Sequence, residues 1–388
     1  MSTLSAIVIL FIVSFAFYLF IKKLSTANTF LHELSYSGIG YIAIGFLLGP
    51  KILGVFNASL LEQLDIFIFL ILGWAGFLVG LQTQLKGLRR FSVEYYSYSI
   101  SFFVLSALMA FVLLYYSTAF LKIELGMNYI IFLSIVNACT SPILIALMSK
   151  KLKGQLSFLL RFNSAFDNVI AVILYGILIV YFLQRAHEGS IGMALLSFLI
   201  VCVATFAAVL VYRVLDKQVS DNYENQLYVV GLLLVIIGLS YYMHQSIILF
   251  SFIFGVVLSN MKINTKKIYL SIDELQKPLY ILLLFIVGAQ IEYSLNTLFL
   301  TIVFIAVHIF SKWASGYFTN RLFWKGKAID NHIGLANLGM GGIALAFFLE
   351  LSYLDDSAIT QMMLFLLAIS IIISDIISNR YLKQLQTK

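Results

Sequence analysis

The sequence predicts an all-α membrane protein of thirteen transmembrane helices, arranged as inverted six-helix repeats with two crossed, broken helices. Three observations carry this prediction. The composition, 61% hydrophobic and 11% charged over 388 residues, excludes a soluble globular chain. The sequence divides into thirteen apolar runs of roughly membrane-spanning length. Two of those runs, in matching positions of the two halves, carry helix breakers at mid-span.

The runs cover approximately 4–21, 35–50, 64–81, 95–117, 128–149, 156–183, 191–212, 226–243, 246–259, 278–291, 296–318, 331–351 and 359–379. The ninth and tenth are short. The first begins almost at Met1, and Lys22 and Lys23 follow it instead of preceding it. That order is the reverse of a signal peptide, so the run is expected to be a retained helix. Of the 25 basic residues, twenty fall in odd-numbered connectors or the C-terminal tail, among them Lys86, Arg89, Arg90, Lys150, Lys151, Arg321 and Arg380. Even-numbered connectors carry only Lys51, Lys122 and Arg185. Positive residues gather on the cytoplasmic side, which puts the N-terminus outside and the C-terminus inside. The net charge of +7 is therefore a signal of topology in a lipid bilayer, not of nucleic-acid binding.

The fifth run reads Val136-Asn137-Ala138-Cys139-Thr140-Ser141-Pro142, and the twelfth reads Ala336-Asn337-Leu338-Gly339-Met340-Gly341-Gly342. Pro142 removes a backbone donor, while Gly339, Gly341 and Gly342 permit non-helical backbone. With runs one to six and eight to thirteen taken as halves, each interruption falls in the fifth run of its half. A linker run between six-run halves reverses the orientation of the second. This pattern points to an inverted-repeat transporter with crossed, broken helices at its substrate site.

Asp167, in the apolar stretch 158–180 of the sixth run, and Lys312, in 298–318 of the eleventh, lie roughly 13–21 Å from the starts of those stretches at 1.5 Å per residue, close to mid-bilayer. An ionised group there costs at least about 3 kcal/mol unless a partner, water or transported ion meets it. An ion–proton exchanger needs a group that holds a proton or a cation but never both. A semi-buried carboxylate does this, because desolvation disfavours its charged form and a cation displaces the proton. Asp167 is the one carboxylate placed clearly at mid-membrane. Asp65 and Glu350 read as near segment ends, and Asp375 as near the cytoplasmic end. Lys312 is expected to offset the charge of Asp167 as its counter-charge. Thr140, Ser141, Asn163, Ser164 and Asn168 offer neutral oxygens that could ligate Na⁺ or K⁺ beside Asp167, or could bond helix to helix. His308, one turn before Lys312, is either a packing residue or a proton relay. Arg161 reads as a snorkelling anchor. No phosphate loop, catalytic carboxylate pair or histidine cluster suggests an enzyme or a resident cofactor, and Cys139 and Cys202 lack metal-ligand spacing.

Several motifs resemble the monovalent cation:proton antiporter superfamily, in its bacterial Kef- and Nap-like range. They are Gly38-Ile39-Gly40 through Leu47-Leu48-Gly49-Pro50, Phe77-Leu78-Val79-Gly80-Leu81 with Leu85-Lys86-Gly87-Leu88-Arg89-Arg90, and Pro278-Leu279-Tyr280 with Phe285-Ile286-Val287-Gly288. The resemblance covers essentially the whole chain. It implies a homodimer in a prokaryotic inner membrane, and because the sequence ends just after the last run, no soluble C-terminal regulatory domain is expected. It further implies a dimerisation domain made of 1–92 and 218–293, a moving core made of 93–186 and 294–388, and a linker helix in 187–217. Asp167 matches the family's ion-binding aspartate, Lys312 its basic residue, and Thr140, Ser141 and Pro142 its first crossover. Relatives often carry a polar residue where this chain has Phe166, and some pair a Glu with an Arg where it has Phe162 and Gly341. The expected activity is exchange of Na⁺ or K⁺ for protons. A membrane sensor or subunit, or a cation channel, is the alternative.

Overall fold

A computed structural model describes residues 39–56, 58–123, 125–149, 152, 154–186, 191–216, 222–261, 278–291, 295–324, 330–354 and 358–387. Among these residues the chain is helical, with no strand. The first predicted run, 4–21, lies outside them. Every later run has a helical counterpart. These are α1 (Ile39–Leu48), α2 (Asp65–Gln82), α3 (Val93–Phe120), α4 (Met127–Ala138), α5 (Pro142–Met148), α6 (Gln155–Ala186) and α7 (Ile191–Leu215). They continue with α8 (Asn222–Tyr242), α9 (Ile247–Asn260), α10 (Pro278–Ala289), α11 (Leu295–Phe323), α12 (Gly341–Leu354) and α13 (Ala358–Thr387). The fifth run forms both α4 and α5. The twelfth forms a 3₁₀ turn, Ile333–Asn337, and then α12.

The packing falls into two groups. In the first, α2 lies against α9 along its whole length, and α1 lies against α10. Glycines permit this closeness. A side chain at Gly76 or Gly80 would strike the backbone carbonyls of Ile248 or Phe252, and one at Gly288 would strike that of Ile42. In bilayers, where burial of apolar surface does not drive helices together, such backbone approach is a principal source of association. In the second group α11 packs on α3, α13 and the 3₁₀ turn, while α3 packs on α4. Gly316 and Gly334 face each other, so the turn lies directly on the α11 backbone.

The two groups meet along α2, α6, α9 and α12. Near one end they part around a cleft of about 100 Å³, room for several water molecules. Trp74, Leu78 and Gln82 of α2 and Tyr280 of α10 line one side of it, and Ser141, Asn168 and Gly342 line the other.

An acid and a lysine at two crossed helix breaks

Local sequence sets both breaks. Cys139 leaves α4 with extended backbone (ψ 149°), and Ser141 stays extended because it precedes proline. Pro142 then occupies the first turn of α5, where its missing N–H costs nothing, and Ser141 Oγ accepts from Leu144 N at 3.4 Å. On the other side α12 begins at Gly341 with φ +75°, a conformation that other residues rarely adopt. The breaks touch: Ser141 N donates to Gly339 O, and the Gly341 position packs against Ser141 Cα. The fifth and twelfth runs are thus broken and crossed, as the sequence predicts.

Asp167 and Lys312 are both fully buried at this crossing. Asp167 Oδ2 accepts from Thr140 Oγ1 and from Asn163 Nδ2, each at 2.9 Å. Lys312 Nζ donates to Ala138 O at 2.7 Å, Cys139 O at 3.0 Å and Thr140 Oγ1 at 3.1 Å. The ammonium therefore caps the carbonyl end of α4, where the helix dipole favours positive charge. It also lies 5.0 Å from the Phe102 ring centroid, a cation–π contact. The expected acid–base partnership is present but indirect. Lys312 spends its hydrogens on the unpaired carbonyls of a broken helix, and Thr140 joins it to the carboxylate.

The remaining predicted residues divide by role. Asn168 Nδ2 donates to Thr140 O at 3.0 Å and Ser164 O at 2.9 Å, holding the first break against α6. The side-chain oxygens Asp167 Oδ1, Asn163 Oδ1 and Asn168 Oδ1 are buried with no hydrogen-bond partner among the described residues. Ser141 faces the cleft and the second break, and its hydroxyl is engaged as the cap of α5. Asn137 is a hub, donating to Ser106 Oγ at 3.1 Å and Ser311 Oγ at 3.0 Å. His308 places one ring nitrogen 2.8 Å from Asn137 Oδ1 and the other 2.8 Å from Leu338 O, so one side chain clasps both breaks. Asn337 is fully buried, and neither of its amide atoms has a partner among the described residues. Arg161 is exposed, and its Nε donates to Ser149 Oγ at 2.7 Å.

Sequence reasoning missed four participants. Ser311 and Ser106 complete the Asn137 hub, and a polar stripe in α11 signals the first of them. His308, Ser311, Lys312 and Ser315 recur at helical spacing on one buried face. Glu350 and Asp375, read as lying near segment ends, are 3% and 5% exposed. Two of the three positions that depart from the resembled family fill an aromatic cluster, and the third, Gly341, starts α12 at the second break. Phe162 and Phe166 stack 5.5 Å apart, Tyr96 packs edge-on against both, and Phe91 and Tyr95 close around Phe162.

The profile of the family described as sodium/hydrogen exchanger, transmembrane, matches residues 7–384. The chain belongs to the sodium/hydrogen exchanger family. None of the curated protein sequences compared with it matches. Among solved structures, the exchanger is similar to the sodium/proton antiporter MjNhaP1 of Methanocaldococcus jannaschii at pH 8, with a TM-score of 0.66 at 15% identity over 98% of this chain and 99% of that one. An electron-microscopy map of the same antiporter gives a TM-score of 0.62 at 15% identity, with 97% of each chain covered. At that identity the likeness establishes the antiporter fold. The family is one of transporters rather than enzymes, and it needs no cofactor, since the ions are its substrates.

Proposed function

We propose that the exchanger trades one monovalent cation, Na⁺ or K⁺, for one proton by alternating access, with Asp167 as the site both ions share. The observation that carries this reading is the buried Asp167 carboxylate at the crossed breaks. One oxygen of it is held by Thr140 and Asn163, while the other, like the side-chain oxygens of Asn163 and Asn168, is buried with no hydrogen-bond partner among the described residues. Hard cations take oxygen ligands, and an uncompensated carboxylate inside a membrane needs either a proton or a cation. Thr140 also contributes its hydroxyl to the site, and Ser141 guards the cleft beside it.

Lys312 supplies a fixed positive charge through the Thr140 bridge. With Asp167 protonated, or ionised around one cation, the site carries the same net charge. Exchange of one for the other is then electroneutral. In this reading the α1, α2, α8, α9 and α10 group is a scaffold that dimerises, and the group carrying the breaks slides against it. The basic connectors support a reading in which the cleft end, which includes Gln82 and the start of α10, faces the cytoplasm. The conformation is inward-open.

Dye-quenching in everted vesicles tests the activity, with Li⁺, Na⁺, K⁺ and Rb⁺ added across a range of pH. Cation-dependent proton movement is expected for Na⁺ or K⁺. No proton movement with any cation would favour the sensor or subunit reading, and cation current without proton exchange would favour a channel.

A further inference from the structure

At the end of the protein opposite the cleft, a carboxylate that the exchange site does not use joins the two helix groups. Glu350 lies one turn from the end of α12, in the group that carries the breaks, and is 3% exposed. Besides the Tyr175 hydroxyl of α6 in its own group, its acceptor oxygens meet donors of the other group. Oε2 accepts from Ser246 Oγ at 3.0 Å, and Oε1 accepts from the backbone N–H groups of Ile247 and, at 3.2 Å, Ile248. Ser246, the N-cap of α9, covers Leu249 N at 3.1 Å. Helix starts leave four N–H groups without internal partners. Here one is capped from within α9 and two from a different helix, more than one hundred residues away in sequence. Every contact uses Glu350 as an acceptor, at the positive end of a helix dipole, which is how an ionised carboxylate bonds.

A second tie stands beside it. Tyr353, in the last turn of α12, donates to Asp65 Oδ1 at the start of α2 at 2.9 Å. Within its own group α12 is stiffened by Tyr175 of α6, whose ring stacks on Phe347 at 4.2 Å and whose hydroxyl donates to Phe347 O at 3.1 Å. The carboxylate cannot stay with α9 while α12 moves with α6.

We propose that Glu350 is a latch between the two helix groups, capping α9 only in the conformation seen here and closing the end opposite the cleft. The proposal rests on the alternating-access reading above, and names the contact that must break for the other state to form. Hydrogen bonds fail beyond about 3.5 Å, so a slide of even a few ångströms opens both amides to water. A contact made in one state alone biases the equilibrium toward that state. Glu350 is thus a positioning residue that sets which side of the membrane the ion site faces.

Amide hydrogen exchange by mass spectrometry on the full-length protein in lipid nanodiscs reads the latch directly. In Glu350→Gln the amides of Ile247 and Ile248 should exchange at least about tenfold faster than in the unaltered protein. In sided flux assays the apparent KM for cation should fall several-fold from the latched side and rise from the cleft side, with kcat less affected. Unchanged protection of those amides would overturn the proposal. So would faster amide exchange without any change in sidedness, which is the behaviour of a merely structural cap. If Glu350→Gln fails to fold, Ser246→Ala, which removes one donor and keeps the carboxylate, makes the same test with a smaller shift expected in the same direction. The amide measurement repeated on an Asp167→Asn background separates failure of the latch from failure of the exchange mechanism, since it requires no transport.

Discussion

Lys312 meets Asp167 through the hydroxyl of Thr140, which donates to the carboxylate at 2.9 Å and accepts from the ammonium at 3.1 Å. A direct pair at this depth would lock two charges together and hinder a cation from entering between them. The bridged arrangement lets Lys312 steady the charge of the site while its other hydrogens stay on Ala138 O and Cys139 O. The ammonium is thereby tied to the broken helix, and Asp167 retains an oxygen for its cargo.

Thr140→Val keeps the shape of that side chain and removes the bridge. A hydrogen bond to a charged group contributes about 1.5–3 kcal/mol, so exchange at low cation concentration should fall by roughly 10- to 100-fold, and Thr140→Ser should restore most of it. Proteoliposome flux against cation concentration measures this. Equal rates for Thr140→Val and the unaltered protein would show that the bridge is idle.

Charge balance gives a second test. One-for-one exchange at Asp167 moves no net charge, so Na⁺-driven proton flux in proteoliposomes should be insensitive to a potential clamped with K⁺ and valinomycin. Acceleration or reversal by the potential would contradict the proposed stoichiometry. If Lys312→Gln then abolished the voltage response and preserved exchange, Lys312 would be the carrier of the extra proton.

The second break depends on Gly341. A side chain in its left-handed conformation costs about 1–2 kcal/mol, and a Cβ there would lie 2.9 Å from Ser141 Cα and 3.1 Å from Ser141 Oγ. Gly341→Ala should lower the melting temperature in detergent by at least a few degrees and slow exchange, whereas Gly54→Ala, with a similar φ of +62° but open space around it, should cost only the backbone strain. A Gly341→Ala protein no less stable than Gly54→Ala would mean the two breaks are not in close contact.

Much of this was legible in the sequence, for reasons that are physical. Pro142 and the Gly339–Gly342 stretch announce helix breaks because they change what the backbone can do locally, whatever surrounds it. Asp167 and Lys312 announce themselves because a charge in the middle of an apolar run has no cheap explanation. The Thr140 bridge was not legible, because its partners lie 27 and 172 residues away and many Thr residues in membrane helices simply bond their own backbone. Glu350 lies near the end of its segment, as read, but its burial was not legible for a related reason. Near the end of a run a carboxylate reads as exposed to the interface, and only the approach of α9 turns that end into the interior. The loss of polar residues at Phe162 and Phe166 was visible, but not the aromatic cluster with Phe91, Tyr95 and Tyr96 that makes the two losses one coherent change.

The central claim is that one carboxylate, at Asp167, carries the proton and the cation in turn. Asp167→Asn preserves size and can still accept from Thr140, but cannot cycle a proton. Reconstituted in proteoliposomes at matched protein density, with thermal unfolding showing that it remains folded, this variant should give no cation-dependent proton flux at any pH. Flux at the rate of the unaltered protein would contradict the account at its foundation and move the carrier to another group.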